Sequence, residues 1–162
     1  MIQPGSRVPS VPVRLITAEA TTETDTAAIL GKGLVVLFAV PGAFTPTCDT
    51  SHLPGFVANA AKLKALGATR IVCATANDHH VTKAWAERSD ALQSIDFIAD
   101  PQAAFAEALG LSKVFADLGK RYARFAMILR DGVVDRVFVQ DVAGVTVSGA
   151  PAILLALQGV AA

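Results

Sequence analysis

Neither sign of charge is in excess in this chain. Its 162 residues carry 14 Lys and Arg against 14 Asp and Glu. Without a basic excess, nothing points to nucleic acid or an anionic membrane surface as the main partner. No apolar run is long enough to cross a bilayer, and residues 1–7 lack the basic and apolar regions of a signal peptide. We therefore predict a protein that binds neither nucleic acid nor membrane.

Cysteine is also scarce, with two residues in the whole chain. Two cysteines are too few for a disulfide scaffold, so reduced thiols and a cytoplasmic location are predicted. The hydrophobic content of 52% against 17% charged residues favours a packed globule over disorder. We find no repeat, linker or low-complexity segment, and we expect one domain over residues 1–162.

Apolar patterns and turn signals predict an α/β fold with a central mixed sheet flanked by helices. The predicted strands cover 11–16, 33–40, 69–75, 97–99, 124–129 and 134–140, the last two forming a hairpin around Asp131-Gly132. The predicted helices cover 56–66, 79–92, 101–109 and 151–157. Residues 18–26 are predicted as a turn or edge hairpin, and 113–121 and 143–149 as loops.

The stretch Pro41-Gly-Ala-Phe-Thr-Pro-Thr-Cys48 follows the most apolar predicted strand, 33–40. A segment that can form a helix comes next, so the loop is expected to place Cys48 in the first turn of a helix. Unpaired backbone N–H groups and the positive end of the helix dipole favour a thiolate there, which is the reactive form. Pro54 predicts a kink or a restart of this helix. Taken alone, a cysteine such as Cys48 in an apolar chain is more often an inert packing residue than a catalytic one, because cysteine is among the most buried residue types.

Pro41, Thr45 and Cys48 form Pro-x-x-x-Thr-x-x-Cys, which resembles the active-site signature of peroxiredoxins. The continuation His52-Leu-Pro-Gly-Phe56 looks like the type II, peroxiredoxin-five-like branch. Further similar strings, in the same order along the chain, are Ala76-Asn-Asp78, Ala99-Asp-Pro101 and Arg124-Phe-Ala-Met-Ile-Leu. The resemblance implies a thioredoxin-like fold and a thiol peroxidase that reduces hydrogen peroxide and alkyl hydroperoxides.

Peroxide reduction needs a thiolate nucleophile and groups that hold both oxygens and stabilise the leaving oxygen. Cys48 supplies the nucleophile, and the Thr45 hydroxyl can accept from a peroxide oxygen or donate to the thiolate. Backbone N–H groups near Thr47 and Cys48 can hold the far oxygen, and the Pro41 ring can shield the sulfur from water. The resemblance assigns the remaining cation to Arg124, on a predicted strand.

Each supporting residue also has a structural reading. Thr45 can be a turn residue bonded to its own backbone, and Arg124 a surface charge on a strand. Arg121 and Arg130 compete for the same role. His52 follows the Cys48 turn, and the resemblance implies that it buttresses the active-site loop.

Cys73 lies in a predicted buried strand, so it is either a core thiol or a candidate resolving cysteine for Cys48. Some type II relatives carry their resolving cysteine in the loop before the last helix, which here has none. Glutathione with glutaredoxin is therefore the expected reductant, and thioredoxin acting through Cys73 is the alternative. No metal, haem or flavin is implied, and the resemblance implies a homodimer.

Three other functions remain open. A redox sensor or relay would use Cys48 to pass oxidation to a partner. A thiol-disulfide oxidoreductase would need Cys-x-x-Cys, whereas Cys48-Asp-Thr-Ser51 ends in serine. A cysteine hydrolase would use His52 as a base, but no third orienting residue is apparent.

Overall fold

The computed structural model describes residues 1–142 and 144–159. The strands are β1 (Pro12–Ile16), β2 (Thr21–Asp25), β3 (Leu34–Ala39), β4 (Ala68–Thr75), β5 (Asp96–Ala99), β6 (Ser112–Phe115), β7 (Gly119–Tyr122), β8 (Phe125–Arg130) and β9 (Val133–Val139). The helices are α1 (Thr26–Leu30), α2 (Leu53–Ala65), α3 (His79–Arg88), α4 (Ala104–Leu109) and α5 (Ala150–Leu157). A π-helical turn, Cys48–His52, directly precedes α2.

Seven strands form one mixed sheet in the order β2-β1-β5-β4-β3-β8-β9. The pairs β3–β4 and β4–β5 are parallel, whereas the pairs that involve β1 or β8 are antiparallel. Strands β6 and β7 form a separate antiparallel pair. The predicted mixed sheet flanked by helices, in a thioredoxin-like fold, is confirmed.

The core lies on both faces of this sheet, because successive strand residues point to opposite sides. In β3, Val36 and Phe38 join the cluster under α2, α3 and α5. Val35 and Leu37 join the opposite cluster under α1 and α4. Burial on both faces explains why this strand reads as one continuous apolar run. It also explains why its end lies in the interior, where the Pro41 loop begins.

Several predicted boundaries are reproduced closely. The 18–26 segment forms the second strand of an edge hairpin with β1. The Asp78 carboxylate accepts a hydrogen bond from the Val81 amide and caps α3, as predicted. The helical segment changes from π to α geometry at Leu53 and carries Pro54 in its first α-helical turn, which is the expected restart.

The helix predicted from residue 101 begins only at Ala104, because Ala103 adopts a left-handed conformation with φ of 56°. Asp100 nevertheless caps it, since its carboxylate accepts hydrogen bonds from the Ala104 and Phe105 amides. The same carboxylate accepts from the buried Tyr122 hydroxyl at 2.8 Å. The predicted start of the helix at residue 101 is wrong, because the left-handed conformation of Ala103 separates residues 101 and 102 from the helix.

Other predictions were wrong. The predicted loop 113–121 contains the hairpin β6–β7, whose exposed residues show no clear apolar alternation. The helix predicted to residue 92 ends at Arg88, and the short helix α1 carries too few turns to be recognised. Arg124 lies in a bend immediately before β8, not within the strand.

The predicted loop 143–149 includes Ala143, which lies outside the described residues. Among the helices that the structure describes, none combines the length and hydropathy of a bilayer-spanning segment. A single domain over 1–162 remains a prediction.

Candidate active site

The loop between β3 and the first helical turn is held by its own hydrogen bonds. The Gly42 carbonyl accepts from both the Thr45 amide and the Thr45 hydroxyl, the latter at 2.7 Å. The Ala43 amide donates to Asn77 Oδ1 at 2.8 Å, which ties the loop to the end of β4. The Thr45 hydroxyl proton is therefore engaged by the loop, and its lone pairs remain as acceptors. Of the two expected roles for Thr45, this geometry leaves acceptance from a peroxide and not donation to Cys48.

Cys48 lies in the first turn of the helical segment, as the sequence predicts. The first helical hydrogen bond runs from the Asp49 amide to the Thr45 carbonyl at 2.8 Å. Within the described chain, the Thr47 and Cys48 amides donate to no other group. Two backbone N–H groups at a helix start are thus available to an oxygen atom bound beside Cys48.

Arg124 provides the charge next to the sulfur. Its Nη2 donates to Cys48 Sγ at 3.0 Å across 76 residues of sequence. Cys48 is buried, so little water competes with this hydrogen bond. A guanidinium in this position stabilises negative charge on Sγ and can also present donors to a bound peroxide. The structure therefore brings together Cys48 and the cation that the resemblance assigned.

His52 orients this guanidinium. Its Nε2 lies 2.8 Å from the Ser148 carbonyl oxygen, and Nδ1 lies 2.9 Å from Arg124 Nη1. A carbonyl oxygen only accepts, so Nε2 carries the proton and Nδ1 accepts from Arg124. Burial lowers the pKa of His52 from 6.5 to about 4; the Ser148 hydrogen bond opposes this shift and the Arg124 charge adds to it. His52 is therefore neutral at pH 7 and contacts Arg124, whereas the resemblance implied a contact with the loop.

The sequence analysis missed the side chain that holds Ser148. Gln140 Oε1 accepts from the Ser148 amide, the Ser148 hydroxyl and the Thr146 amide. Gln140 thus fixes the segment whose Ser148 carbonyl accepts the hydrogen bond from His52. No local pattern marks this residue, because its partners follow it in a loop of small residues.

Arg121 and Arg130, the two competing cations, have different positions. Arg130 forms an exposed ion pair with Asp135 at the far end of β8 and is not part of the site. Arg121 Nη1 donates to the Pro41 carbonyl at 3.2 Å. A Cβ on Gly42 would lie 2.9 Å from the same Nη1. Arg121 therefore supports the backbone of the loop, and a side chain at position 42 would displace its guanidinium from the Pro41 carbonyl.

Asp49, next to Cys48, anchors the turn to α3. Its Oδ1 accepts from Trp85 Nε1 at 2.9 Å, and its Oδ2 lies 3.5 Å from Arg88 Nη1. The Arg88 guanidinium in turn lies over the ring of Phe44, 5.5 Å from its centroid. Phe44 is exposed and has a φ of 63°, in the left-handed region.

Cys73 lies in the middle of β4, paired with Phe38 of β3 and Phe97 of β5. Its side chain is in the same apolar cluster as Cys48, and both thiols are free. Burial raises the pKa of Cys73 well above 9.0, and the nearby Cys48 adds to this. Cys73 is therefore a protonated thiol in this conformation.

A cavity of about 380 Å³ opens above the site. Pro41, Thr47 and Arg124 line its inner end, and Lys113, Phe115 and Asp141 lie among the other lining residues. Arg124 both lines this cavity and donates a hydrogen bond to Cys48 Sγ. The cavity therefore adjoins the residues that surround Cys48, although Cys48 itself is buried.

Comparison with known proteins gives a consistent result. A family model described as Redoxin matches residues 3–154. Peroxiredoxin-2D of Arabidopsis thaliana is 42% identical over 125 residues, covering 76% of this chain and 77% of the relative. Hybrid peroxiredoxin hyPrx5 of Haemophilus influenzae is 35% identical over 84% of this chain, and the match spans 57% of that longer protein.

Solved structures agree over almost the entire length. Reduced Prx3 of Vibrio vulnificus in complex with hydrogen peroxide superposes with a TM-score of 0.91 at 40% identity, covering 97% of this chain and 99% of that one. Peroxiredoxin 5 of Alvinella pompejana superposes with a TM-score of 0.84 at 26% identity, covering 98% and 99%.

Proposed function

Because this chain belongs to the Redoxin family, as a peroxiredoxin of the type II branch and therefore a thiol peroxidase, we propose that Cys48 is the residue that attacks the peroxide. The observation that carries the assignment is the 3.0 Å hydrogen bond from Arg124 Nη2 to Cys48 Sγ. Cys73, the other thiol, is raised in pKa by its apolar surroundings and stays protonated.

In the proposed reaction the Cys48 thiolate attacks one peroxide oxygen in line with the O–O bond. An S–O bond forms and the O–O bond breaks. The leaving oxygen takes the electron pair and a proton and departs as water or an alcohol, which leaves Cys48 as a sulfenic acid. The substrates are hydrogen peroxide and alkyl hydroperoxides.

The surrounding groups act on this step in separate ways. The Thr45 hydroxyl accepts a hydrogen bond from a bound peroxide, while the Thr47 and Cys48 amides donate hydrogen bonds to its oxygens. Arg124 stabilises the charge that moves from sulfur to the leaving oxygen. Pro41 lacks an N–H group, and its buried ring keeps water from the sulfur.

For the return step we propose glutathione with glutaredoxin as the reductant. A resolving role for Cys73 would require a thiolate, which its buried position disfavours, so thioredoxin acting through Cys73 is the second candidate. The cycle uses this external thiol and no bound cofactor. A homodimer and a cytoplasmic location complete the proposal; sedimentation and cell fractionation would test them.

The test is intact-mass analysis with a free-thiol count after one equivalent of hydrogen peroxide, using wild type, Cys48→Ser and Cys73→Ser. We expect wild type to gain one oxygen and keep one thiol, and Cys48→Ser to show no rapid change. A loss of two hydrogens within a monomer would mean that Cys48 and Cys73 form a disulfide, and Cys73 would then be the resolving cysteine. A Cys48→Ser variant that turns over peroxide at the wild-type rate would contradict the assignment of Cys48.

A redox relay is distinguished by turnover. Rapid oxidation of Cys48 without sustained peroxide consumption in the presence of glutathione and glutaredoxin would favour a relay over a peroxidase.

A further inference from the structure

We propose that the cavity above Cys48 is a binding site for a small peptide thiol that carries both a carboxylate and an ammonium group, as glutathione does. This inference rests on the proposed function, because it concerns the thiol that reduces the Cys48 sulfenic acid. It assigns recognition to Lys113 and Asp141, two charged residues of the cavity outside the Cys48 shell.

The size of the cavity is the first argument. Hydrogen peroxide has two heavy atoms and occupies about 60 Å³, taking roughly 30 Å³ per water-sized group. The cavity, at about 380 Å³, is several times larger. Small-molecule sites typically begin at about 300 Å³. The space therefore has room for a peptide-sized reductant as well as for a peroxide.

The charges are the second argument. Lys113 and Asp141 both line the cavity and are both exposed. Within residues 1–142 and 144–159, neither of them takes part in an ion pair. The Lys113 ammonium lies 5.1 Å from the centroid of the Phe115 ring, a position that leaves its donors open. The cavity thus carries one positive and one negative side chain without an ion-pair partner, which complements a ligand that carries both an ammonium and a carboxylate.

Arg124 and Gln140 also line the cavity, but their polar groups are already engaged. Arg124 is bonded to Cys48 and His52. The Gln140 amide is bonded to Thr146 and Ser148. Recognition of charged groups on a ligand is thus left to the ammonium of Lys113 and the carboxylate of Asp141.

The chemical step is balanced with the thiol as the only added reductant. The peptide thiolate attacks the Cys48 sulfenic sulfur, an S–S bond forms, and the S–O bond breaks. The oxygen leaves as hydroxide and becomes water with the proton of the incoming thiol. A second thiol then releases Cys48 from the mixed disulfide. Because Cys48 is buried, the attack requires the Cys48–His52 turn to move toward the cavity.

The experiment separates the two charges with four probe thiols. Glutathione carries both groups, N-acetylcysteine a carboxylate alone, cysteamine an ammonium alone, and 2-mercaptoethanol neither. Cys48 is first oxidised with one equivalent of peroxide, and formation of the mixed disulfide is followed by quenched-flow mass spectrometry. Each rate is expressed relative to that of 2-mercaptoethanol with the same variant, which cancels differences in the intrinsic reactivity of Cys48.

Lys113→Gln should lower the relative rates of glutathione and N-acetylcysteine by about two- to fivefold, the range expected for an exposed ion pair. Asp141→Asn should lower those of glutathione and cysteamine by a similar factor. Lys83→Gln and Asp117→Asn remove equivalent charges outside the cavity, and they should leave all relative rates at wild-type values.

This crossed pattern is the expected result. Relative rates that do not change, or that change equally for every thiol or in the control variants, would overturn the binding site while leaving the peroxidase proposal intact. Absence of the initial oxidation in wild type would instead contradict the proposed function itself, and the binding site with it.

Discussion

The buried neutral His52 makes a specific prediction about stability and pH. In the unfolded chain the pKa of a histidine is about 6.5, and in the folded protein the pKa of His52 is about 4. Below 6.5 the unfolded state therefore binds a proton that the folded state does not. The contribution of the neutral His52 to the free energy of unfolding is fully present above pH 6.5, and it is lost as the pH falls toward 4. With about 1.36 kcal/mol for each pH unit between the two values, the loss is about 3 kcal/mol.

The perturbation is His52→Asn, whose side chain does not titrate and can still accept from Arg124. We expect urea-unfolding curves, recorded with reduced thiols between pH 4 and 7.5, to show a steeper loss of free energy for wild type than for His52→Asn. The difference should build up between pH 6.5 and 4 and reach about 3 kcal/mol. His80→Asn removes an exposed histidine and should follow the wild-type curve.

Parallel curves for wild type and His52→Asn would refute the reasoning. Such a result would mean that the pKa of His52 is the same in the folded and the unfolded protein, so that burial does not keep His52 neutral below pH 6.5.

The remaining predictions concern Arg124 and the loop. A lysine at position 124 cannot contact Cys48 and His52 together, so Arg124→Lys should lose a charge-assisted hydrogen bond of about 1.5–3 kcal/mol. Oxidation of Cys48 by peroxide, measured by stopped flow, should slow by about 10- to 100-fold. The control Arg130→Lys should not slow it, and equal oxidation rates in the two variants would remove Arg124 from the site. Gly42→Ala places a Cβ 2.9 Å from Arg121 Nη1 and should lower both the melting temperature and the oxidation rate. The control is Gly55→Ala, whose Cβ lies in open space on α2 and which should raise the free energy of unfolding by about 0.5–1 kcal/mol. A Gly42→Ala protein at least as stable as wild type would contradict this prediction and show that the loop adapts.

Local chemistry explains what was predictable. The run 33–40 is apolar on both faces because β3 is central, and the Pro41–Cys48 loop is a contiguous string whose residues act within one turn. Asp78 caps α3 through an amide three residues away. In each case the interaction that decides the structure spans few residues, so the sequence pattern carries it.

The features that the sequence did not predict depend on contacts between residues far apart in the chain, or lie in segments without a clear apolar pattern. Hairpin β6–β7 has exposed residues and no clear apolar periodicity, so its residues gave no strand signal. Helix α4 starts only after the left-handed Ala103, and the Asp100 carboxylate that caps it also binds Tyr122, which lies 22 residues later. The Ser148 carbonyl that accepts from His52 is 96 residues away, and composition offers no sign of such a pairing.

The sequence by itself predicted Cys48 as the nucleophile, the loop that carries it and, through the resemblance, the type of chemistry, because a cysteine at a helix start and the residues that flank it form one contiguous string. Only the tertiary structure decided which arginine lies beside Cys48, which nitrogen of His52 carries the proton, and which charged residues line the cavity. These choices depend on the meeting of β3, β8 and the segment after β9 around one buried sulfur. Hydrogen-bond direction and desolvation act over a few ångströms in space, whatever the distance along the chain.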